Sequence, residues 1–383
     1  MTDPNDRLPT DDRAIVRDLV AWFERSARDL PWRGKVRDPY ASLVSEVMLQ
    51  QTQVSRVVPA FAAFLARFPT PAALAQAPEQ DVLAAWTGLG YYRRARLLHA
   101  AARAIVRDHQ GRVPEDPAAL RALPGVGRYT AGAIASIVFG RPEPIVDGNV
   151  GRVLLRVHGK HASVEDASAW LWDRAATLAG IAGELGCVGP FNEALMELGA
   201  TVCVPEGPRC ASCPWRAVCR SAADATQDQI PTPKRAARVR AVTFLAILVQ
   251  DRAGRALLQQ RPADGLWGGL WQLPTIEVGG AASPAAISSA RRRLAQELGL
   301  DAVGPKLHDF VFRTTHRAVR HVVWQGTPRS GANLPPALRW CAPEAWPTLG
   351  MSSPTRRILG IRSTEEEASP KEGPKVMRRK KSR

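Results

Sequence analysis

Up to about Arg220, apolar residues recur at helical spacing, and beyond that point the period changes. Ile15, Leu19, Trp22 and Phe23 share one helical face behind Asp11 and Asp12, either of which can cap a helix. Leu43, Val47, Val54 and Val58 continue the pattern in a helix expected to stop at Pro59. A further helix is predicted over Arg93–Asp108, closed by Gly111, and another over Phe191–Val202. Ser221–Arg240 is polar, carries Pro231 and Pro233 with several basic residues, and reads as a linker. Strand character follows: Ala241–Val249 alternates and is rich in β-formers, Asp251–Gly254 supplies a turn, and Ala256–Gln260 returns. Ser283–Pro284 opens a helix to Leu298 that ends at Gly299, and Leu307–Arg313 and Val319–Gln325 read as strands.

The expected organisation is an all-helical domain at residues 10–220, a linker at 221–240, a smaller α+β domain at 241–362 and a basic tail at 363–383. The fold class is thus α followed by α+β. No apolar run reaches bilayer length and the acidic N-terminus is no secretory signal, so a cytoplasmic, membrane-free protein is expected. The net charge is +16. Removing the basic tail leaves the chain basic, which points to a polyanionic partner such as nucleic acid.

Four of the six cysteines crowd into Cys203, Cys210, Cys213 and Cys219, a C-x6-C-x2-C-x5-C run. Thiolates so close in sequence can wrap a cubane cluster with one short loop. Zinc is the competing occupant, but structural zinc usually takes two C-x2-C pairs and only one exists here. Arg209, Arg216 and Arg220 lie in or beside this loop and could meet phosphates. Leu123–Gly132 holds Gly125, Val126 and Gly127 between helical stretches, a turn whose backbone N–H groups and following helix suit a phosphate. Glu46 is expected at the start of an amphipathic helix and Asp147 just before another; either alone is an ordinary cap or solvated acid, whereas facing one cavity they could cleave a glycosidic bond.

Taken in order, LPWR, SEVMLQQTQV, WTGLGYYRRAR, LPGVGRYTAGAI, VDGNVGRV, FNEALMELGATVC and the cysteine loop closely resemble the adenine DNA glycosylases of the MutY type, within the helix-hairpin-helix glycosylases. That resemblance implies two helical lobes with the lesion pocket between them, a [4Fe-4S] cluster on the four cysteines, and a monomer acting on double-stranded DNA of the nucleoid. It implies removal of adenine mispaired with 8-oxoguanine or guanine. Carried over by motif, Glu46 protonates adenine and then activates water, Asp147 stabilises the sugar cation, and Tyr129 and Asn149 support them. Arg33 and Glu193 meet the flipped base, while Gln51 and Tyr91 probe the duplex. The endonuclease III branch carries a catalytic lysine where Tyr129 stands, so a monofunctional enzyme leaving an abasic site is expected.

Gly265–Pro274 and Ala290–Leu300 resemble a Nudix fold. Of the acids that would gather magnesium only Glu297 remains, with Arg293 and Gln296 in acidic positions, so binding rather than hydrolysis is expected. The family's Phe-Ser-His loop, which meets 8-oxoguanine, corresponds to Thr314-Thr315-His316. The hydroxyl of Thr315 and the imidazole of His316 remain; the aromatic does not, and Phe312 is the candidate substitute. Glu46 argues against a thymine-directed relative, the two acids argue against a non-catalytic DNA-binding protein, and the missing glutamates argue against a Nudix hydrolase.

Overall fold

The computed structural model describes residues 11–233, 239–329 and 337–361. The expected tail at 363–383 lies outside them. The chain divides into two compact units, residues 1–237 and 238–383.

The first unit is helical. Asp11 caps α1 (Asp12–Ser26) by accepting from the Arg13 N–H. Asp12 instead pairs with Arg174 at 2.5 Å. The helix expected through to Pro59 is two helices, α2 (Pro39–Leu49) and α3 (Val54–Arg67), and Pro59 lies inside the second. The break falls at Gln50–Gln53, where Gln51 takes φ +57°, which no continuing helix tolerates. Pro59 forfeits one ladder bond just past the first turn of α3 but does not end it. α4 (Pro71–Gln76), α5 (Glu79–Ala85), α6 (Arg93–Asp108) and α7 (Pro117–Ala122) follow. With α2 and α3 they bury Phe64, Trp86 and Leu98.

The chain then contributes α8 (Arg128–Ile137), α9 (Gly148–Val157), α10 (Ser168–Glu184) and α11 (Val188–Thr201), which pack on α1 around Leu19, Val153, Leu178 and Phe191. Trp215 of the cysteine loop is 1% exposed and donates to the Ile15 carbonyl, so the loop is anchored in that core. The stretch read as a linker begins as folded chain: α12 (Arg220–Ala223) precedes Ile230, which is buried and whose carbonyl accepts from Arg156.

The second unit holds a four-stranded sheet, ordered β4-β1-β6-β5, and a three-stranded sheet, ordered β3-β2-β7. Their ranges are β1 (Arg240–Val249), β2 (Ala256–Gln260), β3 (Trp271–Gln272), β4 (Thr275–Gly279), β5 (Leu300–Arg313), β6 (Arg317–Pro328) and β7 (Leu338–Cys341). β1 runs parallel to β6 and antiparallel to β4. Leu245, Ile247 and Val249 face α13 (Pro284–Glu297), while Ala246 joins Leu258 and Trp271 in a second cluster. β1 is therefore buried on both faces, and its apolar residues are more continuous than alternation alone requires. β5 extends seven residues further back than its apolar pattern suggests, through register shifts between Leu300 and His308.

Two helical glycines set how closely the first unit packs. A Cβ on Gly132 would lie 2.3 Å from the Pro144 carbonyl oxygen. One on Gly199 would lie 2.7 Å from the Asn149 Cβ. Gly132→Ala should therefore force α8 away from the segment leading to Asp147 and cost about 1–3 kcal/mol, read as a lowered melting temperature; unchanged stability would mean this contact yields freely.

Candidate active site

A cavity of about 720 Å3 lies within the helical unit, large enough for a nucleobase and its sugar. Glu46, Gln51, Gly125, Gly127, Tyr129 and Asp147 all line it, as do Arg33, Asn149 and Glu193. Five elements converge here: α2 supplies Glu46, the glycine turn and α8 supply Tyr129, the start of α9 supplies Asp147 and Asn149, α11 supplies Glu193, and the loop before α2 supplies Arg33.

Glu46 is 9% exposed. Burial pushes its carboxyl up to about 7; the Tyr129 hydroxyl draws it back, Asp147 and Glu193 push it further, and Arg33 opposes them. Asp147 caps α9, accepting from the Val150 N–H at 2.7 Å and the Asn149 Nδ2 at 3.2 Å. Burial raises its pKa too, but the backbone N–H groups of Val150 and Asn149 and the charge of Arg152 pull against it. The capping role and a place in the cavity thus belong to the same residue. Asn149 Oδ1 accepts from Arg152 Nη2 at 2.9 Å, and Arg152 also donates to the Gly199 and Cys203 carbonyls. The Tyr129 hydroxyl donates to Met196 Sδ at 2.9 Å.

One wall is an ion network that the sequence only half disclosed. Arg33 donates to Glu193 at 3.1 Å and to Glu197 at 2.9 Å. Arg37 reaches the other oxygen of Glu193 at 2.5 Å, and Arg28 forks onto Glu197. Burial pushes Glu193 up against the pull of Arg37 and Arg33. Against the same push, Arg28 and Arg33 hold Glu197 below the usual carboxylate range. Arg37 and Glu197 were missed: Glu197 sits one helical turn after Glu193 on α11, which was the available signal, whereas Arg37 lies in the loop before α2, 156 residues from its partner Glu193.

At the glycine turn, Gly125 takes φ +78° and its missing side chain admits Leu97, whose Cβ would otherwise stand 2.6 Å away. Val126 is buried, so this turn offers its backbone and not that side chain. Tyr91 does not line the cavity; it is 44% exposed on a neighbouring turn at φ +47°. Thr315 and His316 are exposed at the β5–β6 hairpin tip of the second unit, closed by the Thr314 N–H donating to Arg317 at 2.8 Å. Phe312 packs edge-on against Trp267. On α13 Glu297 faces Arg293 at 3.6 Å.

The four cysteines of the loop carry no disulfide and line one cavity with Arg156 and Val202. Arg156 Nη1 approaches the Cys203 Sγ at 3.5 Å. Among the described residues no set of three or more His, Cys, Asp or Glu groups is arranged to hold a single metal ion. Four soft donors around a common space nonetheless fit a multi-atom thiolate-bound group.

Comparison with known proteins agrees with this architecture. Residues 44–174 match the HhH-GPD superfamily of base excision DNA repair proteins, and residues 245–360 match the NUDIX domain. Human adenine DNA glycosylase is 34% identical over 403 residues, spanning 90% of this chain and 73% of that protein. The adenine DNA glycosylase of Mycobacterium tuberculosis is 48% identical over 204 residues, 52% of this chain and 66% of that protein. A solved thermostable thymine-DNA glycosylase superposes with a TM-score of 0.49 at 29% identity, covering 56% of this chain and 97% of that one. Fold and site define a base-excision repair glycosylase, an enzyme that hydrolyses N-glycosidic bonds in DNA. Within that class the chain belongs to the adenine DNA glycosylase family.

Because Glu46 binds its proton more tightly folded than unfolded, stability is fully present at pH below the free carboxylate value of 4.5 and is lost as pH rises toward 7. Glu46→Gln should remove that loss. The variant should be more stable than wild type at pH 8 by about 3 kcal/mol, with the gap closing by pH 5. Thermal melts at both pH values test this, and a gap independent of pH contradicts it.

Proposed function

We propose that the chain removes adenine paired with 8-oxoguanine or guanine in double-stranded DNA, as a monofunctional glycosylase that leaves an abasic site. The observation that carries this reading is the buried carboxyl of Glu46 lining one cavity with a second acid, Asp147. The adenine-specific partner assignment rests on the motif resemblance and the family.

In the proposed reaction the target nucleotide leaves the stack and enters the cavity. Glu46 donates its proton to adenine N7. The C1′–N9 bond then breaks, and its electron pair leaves with the neutral base. Asp147 stays ionised and stabilises the positive sugar. Its hydrogen bonds from Val150 and Asn149 favour that charge. The Glu46 carboxylate next takes a proton from water as the water adds to C1′, which restores the acid. Tyr129 orients Glu46, and Asn149 orients Asp147. Arg33 and Glu193, held rigid by their ion network, form the wall against the flipped base. No amine stands at position 129, so no Schiff base forms and the strand stays intact.

Gln51 and Tyr91 are assigned to the duplex, and the Gly125–Val126–Gly127 backbone to phosphate. Thr315 and His316 are assigned to 8-oxoguanine, with the second unit binding rather than hydrolysing. Cys203, Cys210, Cys213 and Cys219 would hold a [4Fe-4S] cluster, whose contribution when bound is to fold the loop bearing Arg209 and Arg216. The proposed working form is a monomer in the cytoplasm, on nucleoid DNA.

Glu46→Gln should lower adenine release from an A:8-oxoguanine duplex by about 10²–10⁴-fold while gel-shift affinity for that duplex holds; full release by the variant sinks the mechanism. Wild-type protein should leave the strand uncut until alkali is added, and cutting without alkali refutes the monofunctional assignment. Cys213→Ser should reduce bound iron and the visible absorption of the purified protein; undiminished iron would remove Cys213 from the ligand set.

A further inference from the structure

Gln51 and Tyr91 lie forty residues apart, yet both are non-glycine residues in the left-handed region, at φ +57° and +47°. Such conformations persist only where surrounding structure enforces them. One side chain reaches both turns. Arg94, on the first turn of α6, is 8% exposed. Its Nη1 donates to the carbonyls of Val47 and Met48 at 2.9 Å each, and to that of Gln50. Its Nη2 donates to Thr52 Oγ1 at 2.9 Å, to the Leu89 carbonyl at 3.1 Å and to the Gly90 carbonyl at 3.2 Å.

These contacts bracket the two strained residues. Gln51 sits between Gln50 and Thr52, both held by the same guanidinium. Tyr91 follows Gly90 directly, and its ring centroid is 5.5 Å from the Arg94 Cζ. Thr52 Oγ1 donates onward to the Leu89 carbonyl at 3.3 Å, which stitches the turns together. Trp86 Nε1 donates to the Gly90 carbonyl from behind. The charge meets the carbonyl end of α2, where the helix dipole favours a cation. Only a planar fork can serve two turns at once; an ammonium concentrates its donors at one point.

We propose that Arg94 is a positioning residue that locks the Gln50–Thr52 and Leu89–Tyr91 turns into one rigid edge for probing the duplex. The inference rests on the reading that Gln51 and Tyr91 enter DNA. It adds that they act as a pair whose spacing one buried guanidinium fixes.

The test uses the full chain carrying Glu46→Gln to stop turnover, with 2-aminopurine in place of the target adenine opposite 8-oxoguanine. Adding Arg94→Lys should lower the fluorescence gain on binding at least by half. In the otherwise native enzyme Arg94→Lys should raise the duplex concentration needed for half-maximal rate by roughly 10–100-fold, leaving the midpoint of the pH profile in place. An undiminished fluorescence gain in a folded Arg94→Lys protein overturns the inference, and so does a shifted pH midpoint, which would put Arg94 in the chemistry. Gln51→Ala and Tyr91→Ala separate the two levels. If they lose the fluorescence gain and Arg94→Lys does not, only this inference fails. If they keep it, the duplex-probing reading fails as well. Should Arg94→Lys not fold, Thr52→Val decides: it removes only the bridging hydroxyl, a reduced gain supports the clamp, and an unchanged gain overturns it.

Discussion

A carboxyl kept from water beside a second acid is the constraint that organises the helical unit. Taking Glu46 out of solvent is unfavourable to its charged form, so the group holds its proton near neutrality. Asp147 experiences the same burial, yet two backbone N–H groups, Asn149 and the charge of Arg152 support its anion. Burial thus raises both acids of the cavity, and Asp147 differs from Glu46 in the backbone N–H groups that oppose the rise. The arginines Arg28, Arg33 and Arg37 engage chiefly Glu193 and Glu197, so the network that stiffens the wall leaves Glu46 with little compensating charge.

The packing serves that placement. Gly132 lets α8 press on the segment before Asp147, and Gly199 lets α11 press on Asn149. Arg152 then spans from Asn149 to the Cys203 carbonyl, so the base of the cysteine loop and the Asp147 cap share one hydrogen-bonding side chain. Trp215 fixes the same loop to α1. The cysteine loop is therefore a structural neighbour of the acids, joined to them through Arg152.

Much of this was legible in the sequence, for identifiable reasons. The edges of α6 and α13 follow from strong periodicity and plain stop signals, Gly111 and Gly299. Glu46, Asp147 and the four cysteines stood out because their residue types and ordered motifs carry chemistry. The break at Gln50–Gln53 was hidden, because Leu43, Val47, Val54 and Val58 keep helical spacing across a turn that long-range contacts from Arg94 enforce. Glu197 and Arg94 were missed for a related reason: a buried charge is recognised by its partners, and Arg33 lies 164 residues from Glu197 while the Val47 carbonyl lies 47 residues from Arg94. Ile230 looked like linker because one apolar residue has no period. The short strands β3, β4 and β7 depend on pairing partners that local pattern does not name.

The central claim is that Glu46 must carry a proton to give to adenine before the base can leave. The rate of adenine release with enzyme in excess over an A:8-oxoguanine duplex, followed from pH 5 to pH 9, tests it most directly. That rate should fall as pH rises through about 7, the value to which burial pushes the Glu46 carboxyl. A rate that climbs through that range would contradict it.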